Sequence, residues 1–207
     1  NGWFKEEIAP IKVKFTDAKT NKTEEILVSE DDGMRADVTV EKLGKLKPAF
    51  RPEGMSTPGN SSQMSDGAGA VILARRSVAE KLGLKIIGRF VSHAAVGVPP
   101  ELMGIGPAVA IPMALADAGL KVSDIDVYEI NEAFASQCYY CVEHLGIDHK
   151  KVNPKGGAIA FGHPLGCTGA RMFATLLTEL KRTNKKYGVI SMCIGTGMGA
   201  AAVIERE

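Results

Sequence analysis

The 207-residue sequence closes on Y-G-V-I-S-M-C-I-G-T-G-M-G-A-A-A-V-I-E-R-E, residues 187–207. Two short apolar runs rich in β-branched residues flank a Gly-rich connection there, a pattern that predicts a buried hairpin. The glycines permit positive φ and let another backbone or a ligand approach closely. Cys193 lies at the rim of this turn, where a thiol is either a small packed hydrophobe or a reactive group. The hairpin alone favours packing.

Working outward, the pattern predicts strands at residues 11–15, 25–28, 68–73, 85–96 and 127–130 and helices at 3–8, 76–82, 108–118, 132–145 and 168–182. Strands that alternate with helices and end in a hairpin predict an α/β fold with a mixed sheet covered by helices. We expect Pro112 in the first turn of its helix, Gly119 as a C-cap and Asn131 as an N-cap. The helix at 168–182 looks apolar on nearly all sides, so we expect it between two layers.

Composition excludes several classes of protein. The net charge of +1 does not favour nucleic acid or an anionic membrane as a partner, and we expect no apolar run as long as a membrane span. Four cysteines without metal-type spacing, apart from one C-x-x-C, indicate a reducing compartment and no metal site. The start, N-G-W-F-K, is no signal peptide and is typical of a chain entered within a domain.

Three loops follow strand ends and carry side chains suited to proton transfer: Asn131, His163 and Cys193. Ligands in open α/β sheets collect at strand carboxyl ends, so these residues could converge. A thiol and an imidazole can exchange protons near neutral pH, and an amide can hold a water or a carbonyl. Cys138 and Cys141 fall on an apolar helix face, where we expect packing, and we expect a structural role for Cys167.

The same residues carry a resemblance. N-E-A-F at 131–134, G-G-A-I-A-F-G-H-P-L-G at 156–166 and C-I-G-T-G-M-G at 193–199 closely resemble three signature blocks of the thiolases. S-M-C-I-G-T-G-M-G-A-A-A-V at 191–203 is most similar to the peroxisomal 3-ketoacyl-CoA thiolases. T-P-G-N-S-S-Q at 57–63 and V-G-V-P-P-E-L-M-G-I-G-P at 96–107 also fit, so the resemblance covers nearly the whole chain.

The resemblance implies a role for each matched residue. His163 would deprotonate a nucleophilic cysteine and donate into an oxyanion hole, and Asn131 would fix a water that completes this hole. Cys193 would protonate the departing acetyl-CoA enolate and then take the proton of the incoming CoA thiol. The backbone amide of Gly195 would help a second oxyanion hole.

The resemblance also implies contacts with CoA, which is a substrate and not a resident cofactor. Arg35 would lie near the nucleotide and Ser62 against the pantetheine, while Met103 and Phe134 would line the pantetheine and acyl pocket. Pro58 and Lys42 depart from the family pattern, which puts the nucleotide contacts in doubt but not the chemistry.

No stretch of the chain resembles the block that carries the family's nucleophilic cysteine. The resemblance therefore implies the tail of an inserted, CoA-contacting loop domain at 1–55 and a C-terminal thiolase domain at 56–207. This domain would be a βαβαβαββ half with a five-stranded mixed sheet, within a five-layered αβαβα arrangement. The other half would supply the nucleophile, so we expect the chain alone to be inactive.

The implied activity is thiolysis of 3-ketoacyl-CoA in β-oxidation, by a peroxisomal homodimer. Two alternatives stay open: a biosynthetic acetoacetyl-CoA thiolase and a non-catalytic CoA-binding protein of the same descent. The acyl chain-length preference does not follow from these residues.

Overall fold

The computed structural model describes all 207 residues, which form two β-sheets and six α-helices. A hairpin of β1 (Ile11–Thr16) and β2 (Thr23–Val28) precedes α1 (Val40–Leu43) and α2 (Arg76–Lys81). The remaining elements in chain order are β3 (Gly88–Gly97), α3 (Gly106–Ala118), β4 (Val127–Ile130), α4 (Ala135–Leu145), α5 (Ala158–Phe161), α6 (Thr168–Arg182), β5 (Tyr187–Ile194) and β6 (Met198–Arg206). The predicted α/β class is confirmed.

The larger sheet has the strand order β3-β6-β5-β4, so the predicted closing hairpin lies at its centre. β4 and β5 are parallel, while β5/β6 and β3/β6 are antiparallel. Successive residues of β5 face opposite layers, because Val189 packs with α3 and α4 and Ile190 packs with α6. The hairpin is therefore buried on both faces, which its apolar runs require.

Two predicted elements are absent. Residues 68–73 form no strand, and the sheet has four strands where five were expected. No neighbouring strand pairs with this segment, and Ile72 and Leu73 are 86% and 69% exposed, so it has neither ladder bonds nor a covering layer. The expected helix at 3–8 is a set of turns, in which the amides of Glu7 and Ile8 donate to the carbonyl of Phe4.

The helix α3 begins at Gly106, two residues earlier than predicted, so Pro112 lies inside it and not in its first turn. Gly119 ends the helix in the left-handed conformation at φ 67°, as expected. Together with the preceding 3₁₀ turn, residues Pro100–Ala118 are long and apolar enough to cross a membrane by composition. The expectation that no apolar run approaches the length of a membrane span is therefore wrong for these 19 residues. The α-helical part has 13 residues and spans about 20 Å, and its inner face packs on the sheet.

The helix α6 is not apolar on nearly all sides. Met172, Leu176 and Leu180 face the sheet. A second face carries polar side chains at helical spacing: Thr168, Arg171, Thr175, Thr178 and Arg182. This polar stripe faces the first eight residues of the chain, where Thr175 and Thr178 donate to the carboxylate of Glu7. Burial of α6 therefore includes ionic and hydrogen-bonded contacts as well as apolar ones.

A close backbone contact fixes α3 against β6, and it can be tested. A Cβ on Gly199 would lie 2.4 Å from the carbonyl carbon of Gly106, where neither backbone can yield cheaply. We expect Gly199→Ala to lower the free energy of unfolding by about 1–3 kcal/mol in urea titrations. Gly97→Ala is the matched control, because Gly97 lies on the adjacent strand and a Cβ there meets nothing within 4 Å. Equal effects of the two changes would contradict the packing argument.

Candidate active site

Asn131 and His163 meet at the carboxyl end of β4. The amide nitrogen of Asn131 donates to the carbonyl of Ser191 at 2.9 Å, so the backbone of Asn131 continues the pairing of β4 with β5. Asn131 is therefore not the N-cap of α4, which begins at Ala135 with Phe134 in the cap position. Its side chain, 1% exposed, instead places Nδ2 3.2 Å from Nε2 of His163.

The hydrogen bonds of His163 define its tautomer. Thr168 donates its hydroxyl to the carbonyl of Pro164 at 3.1 Å, and its Oγ1 lies 2.7 Å from Nδ1 of His163. Since that hydroxyl proton is used, Nδ1 donates and Oγ1 accepts. Nε2 is then unprotonated and accepts from Asn131, so the imidazole presents a basic nitrogen at the strand end.

The loop that carries His163 is fastened by Glu132. One carboxylate oxygen of Glu132 accepts from the amide of Ile159 at 3.2 Å, and the other accepts from Nδ2 of Asn153 at 3.0 Å. Asn153 in turn bonds both the amide and the carbonyl of Ile130, which completes the free edge of β4. A Cβ on Gly157 would lie 2.4 Å from the carboxyl carbon of Glu132, so a side chain there would displace this carboxylate from its hydrogen bonds.

Gln63 connects the loop at residues 57–63 to the loop that carries His163. Its backbone carbonyl accepts from the amide of His163 at 3.0 Å. Its Nε2 donates to the carbonyls of Ala160 at 3.0 Å, Ile159 at 3.2 Å and Gly33 at 2.9 Å. The stretch T-P-G-N-S-S-Q thus helps to position His163, although the sequence assigned Gln63 no role.

Cys193 lies near the end of β5, two residues after Ser191. It is therefore at the same carboxyl end of the parallel strands as Asn131. Its thiol is half-buried and lies on the side of Cys141, whose pKa burial raises to about 11 with a smaller contribution from Cys193. Cys138 and Cys141 are packed in the core, as predicted, and Cys167 is also buried.

Burial sets the charge states of the predicted acid and base. Burial is the larger cause that lowers the pKa of His163, and the charge of Arg171 adds to it. Burial also raises the pKa of the Cys193 thiol. At neutral pH the site therefore combines a neutral imidazole, able to accept a proton, with a protonated thiol, able to give one.

A family model described as thiolase, C-terminal domain, matches residues 84–206, and one described as thiolase, N-terminal domain, matches residues 1–77. The chain belongs to the thiolase family. The expected division of this thiolase chain at residues 55 and 56 stays a prediction.

Relatives and solved structures place the chain within this family. It is 64% identical to a peroxisomal 3-ketoacyl-CoA thiolase of Yarrowia lipolytica, covering 100% of this chain and 50% of that protein, and 64% identical to the peroxisomal 3-ketoacyl-CoA thiolase B of Rattus norvegicus, covering 99% and 48%. The dimeric peroxisomal thiolase of Saccharomyces cerevisiae superposes with a TM-score of 0.89 at 55% identity, covering 100% of this chain and 50% of that one. The chain spans about half the length of the curated thiolases it matches.

The remaining residues predicted from the thiolase resemblance are Ser62, Phe134, Met103, Gly195 and Arg35. The amide of Ser62 donates to the carbonyl of Ala133 at 3.0 Å, so Ser62 lies beside the N-E-A-F turn, and Phe134 forms a bridge with the preceding Ser61. Met103 is half-buried in the 3₁₀ turn before α3. Gly195 lies in the exposed turn between β5 and β6, where open space surrounds it. Arg35 is exposed. No group of three metal-binding side chains is present.

A buried carboxyl group that the sequence analysis missed lies behind the site. Glu129 is 1% exposed, its Oε2 is 3.4 Å from Nη1 of Arg171, and its Oε1 has no hydrogen-bond partner. Burial raises its pKa to about 8, which the charge of Arg171 only partly offsets. The sequence V-Y-E-I at 127–130 could have indicated a buried carboxyl group, because it places a charged residue in a strand that is otherwise apolar or aromatic.

The raised pKa predicts how stability depends on pH. Between about pH 4.5 and 8 the folded chain keeps a proton on Glu129 that the unfolded chain releases, so Glu129 makes stability fall as pH rises through this window. The slope from one proton is at most about 1.4 kcal/mol per pH unit. We expect Glu129→Gln, which imitates the protonated acid, to remove this contribution in urea titrations at several pH values. Glu24→Gln on the exposed hairpin controls for the loss of a carboxylate. A slope equal to wild type would mean that Glu129 is ionised throughout.

Proposed function

We propose that this chain supplies the acid–base part of a 3-ketoacyl-CoA thiolase, which cleaves 3-ketoacyl-CoA with CoA to acetyl-CoA and a shortened acyl-CoA. The observation that carries the proposal is the neutral imidazole of His163, held by Asn131 and Thr168 at the carboxyl ends of β4 and β5, where Cys193 also lies. A base and an acid in their neutral forms are what a reaction with one deprotonation and one reprotonation needs.

The nucleophile is a cysteine in the half of the relatives that this chain does not cover. His163 takes the proton of that thiol at Nε2, and the thiolate attacks the 3-keto carbon of the substrate. The bond between C2 and C3 breaks, Cys193 protonates the acetyl-CoA enolate, and an acyl-enzyme thioester remains. Cys193, now a thiolate, takes the proton of CoA, whose sulfur attacks the thioester and releases the shortened acyl-CoA. The nucleophilic cysteine leaves as a thiolate and takes back the proton that His163 holds.

The polar groups around these two residues stabilise the developing negative charge. Asn131 fixes a water beside Nε2 of His163 for the oxyanion of the ketone, and the amide of Gly195 serves the oxyanion of the thioester. Arg35, Ser62, Met103 and Phe134 bind CoA and the acyl chain. CoA is a substrate in this scheme, and no other cofactor or metal takes part.

The names of the relatives support the setting of the reaction. The chain is 59–64% identical to proteins named peroxisomal 3-ketoacyl-CoA thiolases, and a similar solved structure is called dimeric. We therefore place the reaction in peroxisomal β-oxidation and propose a homodimer.

A fusion protein tests the proposal. The half of the Yarrowia lipolytica relative that the chain does not cover is joined ahead of Asn1, and thiolysis of 3-ketoacyl-CoA substrates of several chain lengths is measured. We expect activity in the fusion and none in the 207-residue chain alone. Removal of a general base costs about 10²–10⁴-fold, so His163→Ala should lower kcat/KM of the fusion by that factor. Cys193→Ala should abolish exchange of the α-protons of acetyl-CoA with solvent.

Each outcome separates one alternative. Thiolysis by the chain alone would overturn the assignment of the nucleophile to the other half. Activity confined to acetoacetyl-CoA would favour the biosynthetic thiolase. A fusion that binds CoA but is unaffected by Cys193→Ala would favour a non-catalytic CoA-binding protein.

A further inference from the structure

Arg171 occupies a place behind the loop of His163 that the reaction scheme does not use. It lies in the first turn of α6, and its guanidinium carbon is 4.9 Å from the centre of the Phe161 ring. On its other side, Nη1 approaches Oε2 of the buried Glu129 at 3.4 Å. Phe161 ends α5 and precedes His163 by two residues. The guanidinium therefore joins the strand β4 to the helix that leads into the predicted base.

The same face of α6 contacts the imidazole itself. Thr168 and Arg171 are three residues apart, so their side chains lie next to each other on the helix. Thr168 accepts from Nδ1 of His163, and Arg171 lies against Phe161 just before it in the chain. A movement of Arg171 would thus displace the loop and the ring together.

We propose that Arg171 is a positioning residue for His163, which holds the loop through Phe161 and keeps a positive charge on the helix face that contacts the ring. What His163 then does with its basic nitrogen rests on the proposed function. The placement of Arg171 does not.

The charged groups of this region allow the effect of Arg171 to be isolated. Apart from Arg171 they come from four elements: Asp31 from the segment before α1, Glu7 from the first turns, Glu129 and Glu132 from the end of β4, and Lys155 from the loop before α5. Burial and Arg171 are the causes that lower the pKa of His163, and no carboxylate contributes to this shift. Removal of the guanidinium should therefore raise the pKa of His163.

A second arginine of α6 provides a matched control. Arg182 also pairs with a buried glutamate, donating to both oxygens of Glu179 at 2.8 and 2.7 Å, and also lies over an aromatic ring, at 4.2 Å from the centre of Trp3. Arg182 ends the helix that Thr168 begins, so it is about 20 Å along the axis from the residue that contacts His163. Its loss has similar consequences for packing and charge but should not affect the imidazole.

The test is an NMR titration of the 207-residue chain labelled with ¹³C-histidine. The chain has four histidines, and loss of one signal in His163→Gln assigns His163. We expect the midpoint of His163 to move to higher pH in Arg171→Met, by more than the error of the titration, and to stay at the wild-type value in Arg182→Met. Arg171→Lys keeps the charge and should hold the midpoint, which keeps the test usable if Arg171→Met does not fold.

An unchanged midpoint in Arg171→Met, or an equal shift in Arg182→Met, would overturn the proposal. So would a midpoint in Arg171→Lys that rises as far as in Arg171→Met, because the charge would then be irrelevant. The measurement needs no substrate. An inactive fusion protein would therefore refute the proposed function but not the role of Arg171. An active fusion protein together with an unchanged midpoint in Arg171→Met would refute the role of Arg171 but not the proposed function.

Discussion

The carboxylate of Glu132 is the contact on which the site depends. It accepts from Asn153, which hydrogen-bonds the end of β4, and from Ile159, which lies in the single turn of α5 before His163. Because one carboxylate serves both, the loop of His163 takes its position from the strand that carries Asn131. The Glu132 carboxylate reaches this position across Gly157, where a side chain would displace it. The 3.2 Å contact between Asn131 and His163 thus follows from an interaction that involves neither residue.

Burial then gives this arrangement its chemistry. Withdrawal from water penalises every charged form, so it lowers the pKa of His163 and raises those of Cys193 and Glu129. The three groups are driven toward neutrality by the same cause, although one is a base and two are acids. A neutral imidazole and a neutral thiol can start and end a proton-transfer cycle without compensating charges. The hydrogen bond that His163 donates to Thr168 and the one that it accepts from Asn131 fix which ring nitrogen is basic.

Local patterns in the sequence predicted those elements whose stability is mainly local or mutual between neighbours. The hairpins and the cap at Gly119 are of this kind. Residues 68–73 have a strand pattern, but a strand also needs a partner, which residue patterns do not supply. Asn131 has the side chain of a helix cap, yet its backbone is drawn into the sheet by Ser191. The resemblance named His163 and Cys193, while the residues that hold His163 in place act through contacts distant in sequence.

The polar stripe of α6 has a consequence for how the chain divides. Glu7 and Lys155 are 7% and 1% exposed and form an ion pair at 3.1 Å, and Phe4 packs edge-on against Phe161. A buried ion pair recovers little more than its cost of desolvation, so it contributes specificity of placement more than stability. That placement joins the first eight residues to the loop of His163, 148 positions away in the case of Glu7 and Lys155. A boundary near residue 55 would therefore separate the chain by sequence but not by packing, since the first turns and the predicted base are held by the same helix face.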